Sequence, residues 1–276
     1  MQYFRQCRDR GRNIMFAGFN LETTKDYSMY YETGKKLFDV QRRKVEEDLD
    51  KFLDPDGTID GTKLANNWFP QIKADIFISH SHKDEKQAIG LAGWLWEKFQ
   101  LATFIDSCVW GYADRLLKRI DNRFCQNDGE ETYSYEKRNH STAHVHMMLN
   151  VALCRMIDKT ECVFLFNTPN SITCSEAISN TNSSWIYSEV VMTEIIRKRE
   201  LSRYRDGQVI LFEKKAMNQQ MEFKYELTLD HLELLNDQDI QRWENKSSSI
   251  LRIQEVVKIS KIYPLDYLYN IKGILK

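Results

Sequence analysis

Apolar residues recur at helical intervals in the first part of the chain. Between Tyr30 and Leu53 their spacing predicts an amphipathic helix whose other faces carry many charges of both signs. The turn sequence Asp54–Gly57 ends this helix, and a short helix is predicted at Leu64–Phe69, before Pro70. Strand signals are few in this part of the chain. We therefore expect residues 1–73 to be an N-terminal helical region that packs against the remainder.

The pattern changes to short apolar runs after residue 73. Three of these runs predict buried strands, because they are short, rich in β-branched or aromatic residues and bounded by polar residues: Asp75–His80, Ala102–Asp106 and Cys162–Thr168. Helical spacing predicts one helix after the first strand, from Asp84 to Gln100, and another after the third strand, from Ser184 to Arg199. The second of these helices ends in basic residues, which favour a helix C-terminus.

The segment between the second and third predicted strands is long. Residues 107–140 show no regular pattern and are expected to form an irregular insert, after which Ser141 is expected to cap a helix running to Asp158. Alternating strands and helices indicate an α/β fold, with a parallel sheet covered by helices on both faces. We therefore expect residues 74–276 to form one such domain, with the insert at 107–140 and a C-terminal extension.

The pattern is weaker beyond residue 202. Two further strands are expected at Val209–Phe212 and Phe223–Leu227. Two helical segments are expected at His231–Asn236 and Ile240–Asn245.

Composition excludes several classes of protein. The chain has 276 residues, 42% of them hydrophobic and 12% aromatic, which argues against a disordered protein. Lys and Arg number 39 against 40 Asp and Glu, so nothing indicates strong non-specific binding to nucleic acid. No apolar run is long enough to span a membrane, and the N-terminus does not resemble a signal peptide. The six cysteines form no C-x-x-C pair, so reduced thiols and a cytoplasmic location are expected.

Ligands of open parallel sheets bind beyond the carboxyl ends of the strands, where the following helices begin. Polar and aromatic residues follow the first two predicted strands, and another group lies at the start of the helix after the third. We expect these residues to converge on one site. The candidate binding residues are Ser79, His80, Asp106, Trp110, Tyr112 and Trp185.

Glu189 is the strongest candidate for a catalytic role. It lies four residues after Trp185, so the two side chains share one face of the predicted helix. A carboxylate near the start of this helix can bind hydroxyl groups or stabilise a developing positive charge. The alternative is a glutamate that only complements the helix dipole.

His140 and His144 have the i,i+4 spacing of two metal ligands on one helix face. However, His140 precedes the expected cap Ser141, and no cysteine or carboxylate completes an evident set of ligands. We therefore expect no metal site, and a structural or hydrogen-bonding role for these histidines.

Three motifs in order resemble the TIR (Toll/interleukin-1 receptor-like) domain. They are the opening strand DIFISHSHKDE, the strand end FID and the helical W-x-x-x-E formed by Trp185 and Glu189. The resemblance covers about residues 74–212 and implies a flavodoxin-like parallel sheet. It also implies NAD cleavage at the bond between nicotinamide and ribose, with Glu189 as the catalytic residue. NAD is then the substrate, and no cofactor is expected.

The resemblance also bears on partners. The long insert and the separate N-terminal region look more like bacterial antiphage TIR proteins of the Thoeris type than like animal adaptors. That likeness implies an ADP-ribose-derived signal, cyclic or conjugated, that a downstream effector senses. The segment with Trp110 and Tyr112 would correspond to the mobile loop through which many TIR enzymes associate with themselves.

Two other functions remain open at this point. One is a non-catalytic TIR interaction module, although such domains often lack the glutamate of W-x-x-x-E. The other is a nucleotide N-glycosidase or an enzyme like 2-deoxyribosyltransferase, which also places a carboxylate at the edge of a doubly wound sheet.

Overall fold

The computed structural model describes residues 17–41, 47–69, 71–127, 131–175, 178–181, 183–195, 225–256 and 263–274. Within these residues five strands form a parallel sheet in the order β3-β2-β4-β1-β8. Their bounds are Ala17–Leu21 (β1), Ile76–Ser79 (β2), Thr103–Ile105 (β3), Cys162–Phe166 (β4) and Glu233–Leu235 (β8). The sheet is flanked by helices, which confirms the predicted α/β class of flavodoxin-like type.

The helices cover both faces of this sheet. They are α1 (Tyr31–Gln41), α2 (Gly61–Trp68), α3 (Glu85–Phe99), α4 (Ser107–Ile120), α5 (Tyr135–Lys159), α6 (Ser184–Ile195), α7 (Asp237–Val256) and α8 (Pro264–Ile271). Alternate side chains of β4 enter different clusters: Phe164 packs with residues of α1, α3, α7 and α8, and Val163 with residues of α2, α4 and α5. None of the helices among the described residues is long and apolar enough to cross a bilayer.

A small antiparallel sheet follows β4. It consists of β5 (Thr173–Ser175), β6 (Ile178–Thr181) and β7 (Tyr225–Leu227), in that order. The strand predicted at Phe223–Leu227 therefore overlaps β7. The strand predicted at Val209–Phe212 lies outside the described residues.

The N-terminal region differs from the expectation of a helical unit. It contributes α1, a 3-10 helix at Leu49–Phe52 and α2, but it also contributes β1. All five residues of β1 are buried, and the strand pairs with β4 on one side and β8 on the other. A division of the chain at residue 73 therefore cuts through one sheet.

The segment 107–140 is not irregular. It forms α4, a π-helical turn at Asp121–Cys125 and the start of α5, whose N-cap is Ser134 rather than Ser141. The Asp106 carboxylate accepts a hydrogen bond from the Ser107 amide at the start of α4. The buried face of α4 then follows helical spacing through Tyr112, Ala113, Leu116 and Ile120.

The segment His231–Asn236 contains strand β8 rather than the predicted helix. Three residues are too few for a recognisable period, and pairing with β1 defines this strand.

Glycines allow α1 and α3 to approach with their backbones in contact. A Cβ atom at Gly93 would lie 2.2 Å from the carbonyl oxygen of Tyr30, and one at Gly34 would lie 1.8 Å from that of Ile89. Gly93→Ala is therefore expected to lower the free energy of unfolding by about 1–3 kcal/mol, because the two helices must separate. Urea unfolding measures this difference.

Gly111 provides the matched control for this substitution. It lies inside α4, and a Cβ atom there would meet nothing within 4 Å. Gly111→Ala is expected to raise stability by up to about 1 kcal/mol, because alanine has the higher helix propensity. Equal effects of the two substitutions on the free energy of unfolding would show that close packing of α1 on α3 does not contribute to stability.

Candidate active site

Four polar side chains meet at the carboxyl edge of β2 and β3. Ser79 is the last residue of β2, His80 follows it, Asp106 follows β3, and Glu189 comes from the second turn of α6. Their exposed fractions are 1%, 0%, 0% and 2%. All four were predicted as site residues, and the structure brings them together in what we call the buried cluster.

Two polar contacts link the members of the buried cluster in pairs. The Ser79 hydroxyl donates to Glu189 Oε2 over 2.6 Å. His80 Nδ1 lies 2.5 Å from Asp106 Oδ1. The other carboxyl oxygens, Glu189 Oε1 and Asp106 Oδ2, are buried without a hydrogen-bond partner. Each carboxyl group therefore keeps one oxygen that a ligand or a proton can occupy.

Burial sets the protonation of this cluster. Loss of hydration raises the pKa of Glu189 well above its usual value, and the adjacent Asp106 raises it further, whereas the Ser79 hydrogen bond opposes the change. Burial likewise raises the pKa of Asp106. It lowers the pKa of His80 to about 4, against the opposing effect of Glu189. The three pKa shifts thus all favour the uncharged form of the group over its charged form.

The raised pKa of Glu189 predicts a dependence of stability on pH. In the unfolded chain this carboxyl group ionises near pH 4.5, earlier than in the folded protein. The stability contributed by protonated Glu189 is therefore complete below that pH and is lost as the pH rises toward the folded pKa. Glu189→Gln has no proton to lose. We expect the wild-type protein to lose stability relative to Glu189→Gln as the pH rises above 4.5, by up to about 1.4 kcal/mol per pH unit.

Urea unfolding of both proteins at pH 5, 6, 7 and 8 measures this difference. His80 acts with the opposite sign, because its folded pKa of about 4 lies below the unfolded value of 6.5 and its contribution grows as the pH rises between them. Since His80 is present in both proteins, comparing them largely removes its contribution. A difference that does not change with pH would contradict a raised pKa for Glu189.

The structure describes the side chains of two of the three aromatic candidates, Tyr112 and Trp185. Tyr112 was expected in a mobile loop, but it lies in α4, is 5% exposed and packs under the guanidinium group of Arg115, 5.0 Å from the ring centre. Trp185 is half-buried, and its ring meets that of His146 at a centroid distance of 5.7 Å. The backbone of Trp110 belongs to α4, and its side chain lies outside the described residues.

A polar cleft of about 850 Å³ lies at the carboxyl ends of β4, β1 and β8. Glu22, the first residue after β1, accepts hydrogen bonds at Oε1 from the amides of Asn20 and Asn167. Sequence reasoning missed this cleft because it did not predict β1 or β8. The lining residues are Glu22, Thr23, Thr24, Asn167, Thr168, Pro169, Ile172, Asn236, Asp237 and Gln238.

Metal ligation finds no support in the part of the chain that the structure describes. No group of three or more His, Cys, Asp or Glu side chains there is arranged to hold an ion. His140 and His144 do face each other, with 3.4 Å between their Nε2 atoms.

Comparison of the chain with family models, with curated proteins and with solved structures gives no match.

Proposed function

We propose that the protein cleaves the bond between nicotinamide and ribose in NAD, with Glu189 as the catalytic carboxylate. The observation that carries the proposal is the hydrogen bond from Ser79 to Glu189 at the carboxyl edge of the sheet. Glu189 belongs to the W-x-x-x-E element that resembles that of NAD-cleaving TIR domains. Nicotinamide would leave, and attack of water on the ribosyl carbon, with loss of a proton, would give ADP-ribose. Attack by another nucleophile, in the same or a second molecule, would give a cyclic or conjugated form of ADP-ribose.

The chemistry demands an ionised carboxylate close to the ribose. Nicotinamide leaves as a neutral group from a cationic precursor, and the ribose passes through an oxocarbenium-like state. Ionised Glu189 stabilises that positive charge. Ser79 holds one carboxylate oxygen, so the other is the one that faces the reacting carbon.

The protonation of the buried cluster must change when NAD enters. Two adjacent buried carboxylates repel each other, and burial keeps protons on them. The positive charge of the nicotinamide ring favours the ionised form of Glu189 in the complex, because opposite charges nearby lower the pKa of a carboxyl group. His80, with Nδ1 2.5 Å from Asp106, would keep Asp106 in place while Glu189 takes up its negative charge.

Product analysis tests the proposal. The protein is incubated with NAD and, separately, with deoxynucleosides, and the products are separated by chromatography and identified by mass spectrometry. Release of nicotinamide from NAD is expected. Base exchange or release from deoxynucleosides without NAD cleavage would instead indicate an N-glycosidase or an enzyme like 2-deoxyribosyltransferase.

A wider role in antiphage defence belongs to the same proposal. The NAD-derived product would act as a signal for a downstream effector, and the protein would work in the cytoplasm as a self-associating enzyme. Specific activity is then expected to rise with protein concentration, in step with the mass measured by light scattering. Constant specific activity across a dilution series would remove self-association from the proposal.

A second candidate is a TIR-like interaction module without catalytic activity. The specific observation that favours it is the closure of the buried cluster, in which Glu189 is 2% exposed and burial raises its pKa. In this case Glu189 serves only to join α6 to β2. Absence of nicotinamide release from folded protein, at concentrations where it associates, would support this candidate.

A further inference from the structure

An apolar cavity of about 770 Å³ lies between α2, α5 and the π-helical turn. This volume is within the range of sites for small molecules, and none of its lining residues belongs to the buried cluster. We refer to it as the α2–α5 cavity. Its apolar walls are formed by Ile59, Leu64, Ile120, Phe124 and Met148.

Polar residues of α5 form part of the lining of the α2–α5 cavity. They are Lys137, His140 and His144, together with the single acidic residue Glu136. The two imidazoles lie edge to face, with their ring centres 4.5 Å apart and 3.4 Å between their Nε2 atoms. Three residues with N–H donors thus stand beside one carboxylate, which favours a ligand group that accepts hydrogen bonds and carries negative charge.

A buried hydrogen-bond network fixes the wall that faces α5. Asp121, in the π-helical turn, is 4% exposed. It accepts hydrogen bonds from the Ser141 hydroxyl over 2.6 Å and from Arg138 Nε over 2.9 Å. Cys125, at the end of the same turn, donates from Sγ to the Ser141 hydroxyl over 3.8 Å.

This network ties the π-helical turn to α5, so the cavity is preformed. Turns of this type are rare and are frequently found at functional sites.

We propose that the α2–α5 cavity binds a small amphipathic anion. The apolar body of the ligand packs against Ile120, Phe124 and Met148, and its anionic head accepts hydrogen bonds from His140, His144 and Lys137. The walls offer few partners to a sugar or a base, so a nucleotide does not suit them.

The first test uses 1-anilinonaphthalene-8-sulfonate, which has an apolar body and an anionic head. Its fluorescence in the presence of the folded full chain is expected to saturate at one molecule per protein, and octanoate should displace it. Absence of saturable binding, or failure of octanoate to compete, would overturn the proposal.

Substitutions in the wall locate the bound probe. Met148→Trp narrows the cavity and is expected to weaken probe binding at least tenfold. Met147→Trp is the matched control, because Met147 is the preceding residue of α5, is 61% exposed and does not line the cavity. Ile59→Trp is a second wall variant in case Met148→Trp fails to fold, as judged by circular dichroism. Unchanged affinity in the folded wall variants would show that the probe binds elsewhere.

A neutral analogue of the probe tests the head group. The double variant His140→Phe/His144→Phe keeps both rings but removes their N–H donors. It is expected to weaken binding of the sulfonate about fivefold or more and to leave that of neutral N-phenyl-1-naphthylamine within about twofold. Equal weakening of both probes, or of neither, would contradict recognition of an anion by these histidines.

Discussion

Glu189→Gln is expected to lower NAD turnover about 10²–10³-fold, the size of effect seen when one group that stabilises a transition-state charge is removed. The amide has the shape of the carboxyl group and still accepts the Ser79 hydrogen bond, but it cannot become negative. A coupled assay for free nicotinamide measures the loss. Folding should persist, because the neutral amide matches the protonated form that burial favours.

Glu194→Gln is the control on the same helix, since Glu194 is an exposed residue of α6. It should retain turnover within about twofold. Glu189→Ala is the less informative variant, because it would leave the buried Ser79 hydroxyl without its acceptor, at a cost of about 1–3 kcal/mol. Near-wild-type turnover by folded Glu189→Gln would exclude Glu189 as the catalytic residue.

Deletion of residues 1–73 is expected to prevent folding altogether. The deletion removes β1 from between β4 and β8, so β8 loses its partner and β4 loses one of its two neighbours. It also removes α1, which packs directly on α3. The shortened chain should show no cooperative transition in urea or on heating, as followed by circular dichroism. A cooperative transition in that chain would show that the remaining strands suffice.

A point substitution isolates the contribution of β1. Phe19 is completely buried, with its ring centre 5.7 Å from that of Phe164 and 6.3 Å from that of Tyr269. Phe19→Ala is expected to lower the free energy of unfolding by about 3–5 kcal/mol. Met29→Ala is the comparison, because Met29 is 81% exposed and should change stability by less than about 0.5 kcal/mol.

The sequence predicts those strands of the sheet that lie within apolar runs. β2 and β4 lie in apolar runs that need both faces covered, and β3 lies in a shorter run. β1 and β8 were missed because AGFNL contains a glycine and an asparagine and because ELL is only three residues long. β1 is held in strand conformation by pairing with β4 and β8, and β8 by pairing with β1. No local sequence pattern reveals such pairing.

The buried cluster was predictable in its membership but not in its environment. Ser79 ends β2, His80 and Asp106 follow β2 and β3, and Glu189 lies in the second turn of α6, so the edge rule places them together. No local pattern in the sequence indicates that Glu189 is buried, yet only 2% of it is exposed. Its burial depends on the tertiary packing of α6, and that burial shifts the pKa of Glu189.

The position of β1 also determines when the protein can fold during synthesis. β1 leaves the ribosome first among the five strands, yet it pairs through Asn20 with Leu165 and with Leu234. Its neighbours therefore arrive long after it, and the nascent chain carries an unpaired apolar strand while most of the domain is translated. Such a strand is a ready binding site for chaperones and for other nascent chains. The five-stranded sheet is complete only after β8 has emerged from the ribosome. The buried cluster therefore forms beside a complete sheet only late in translation.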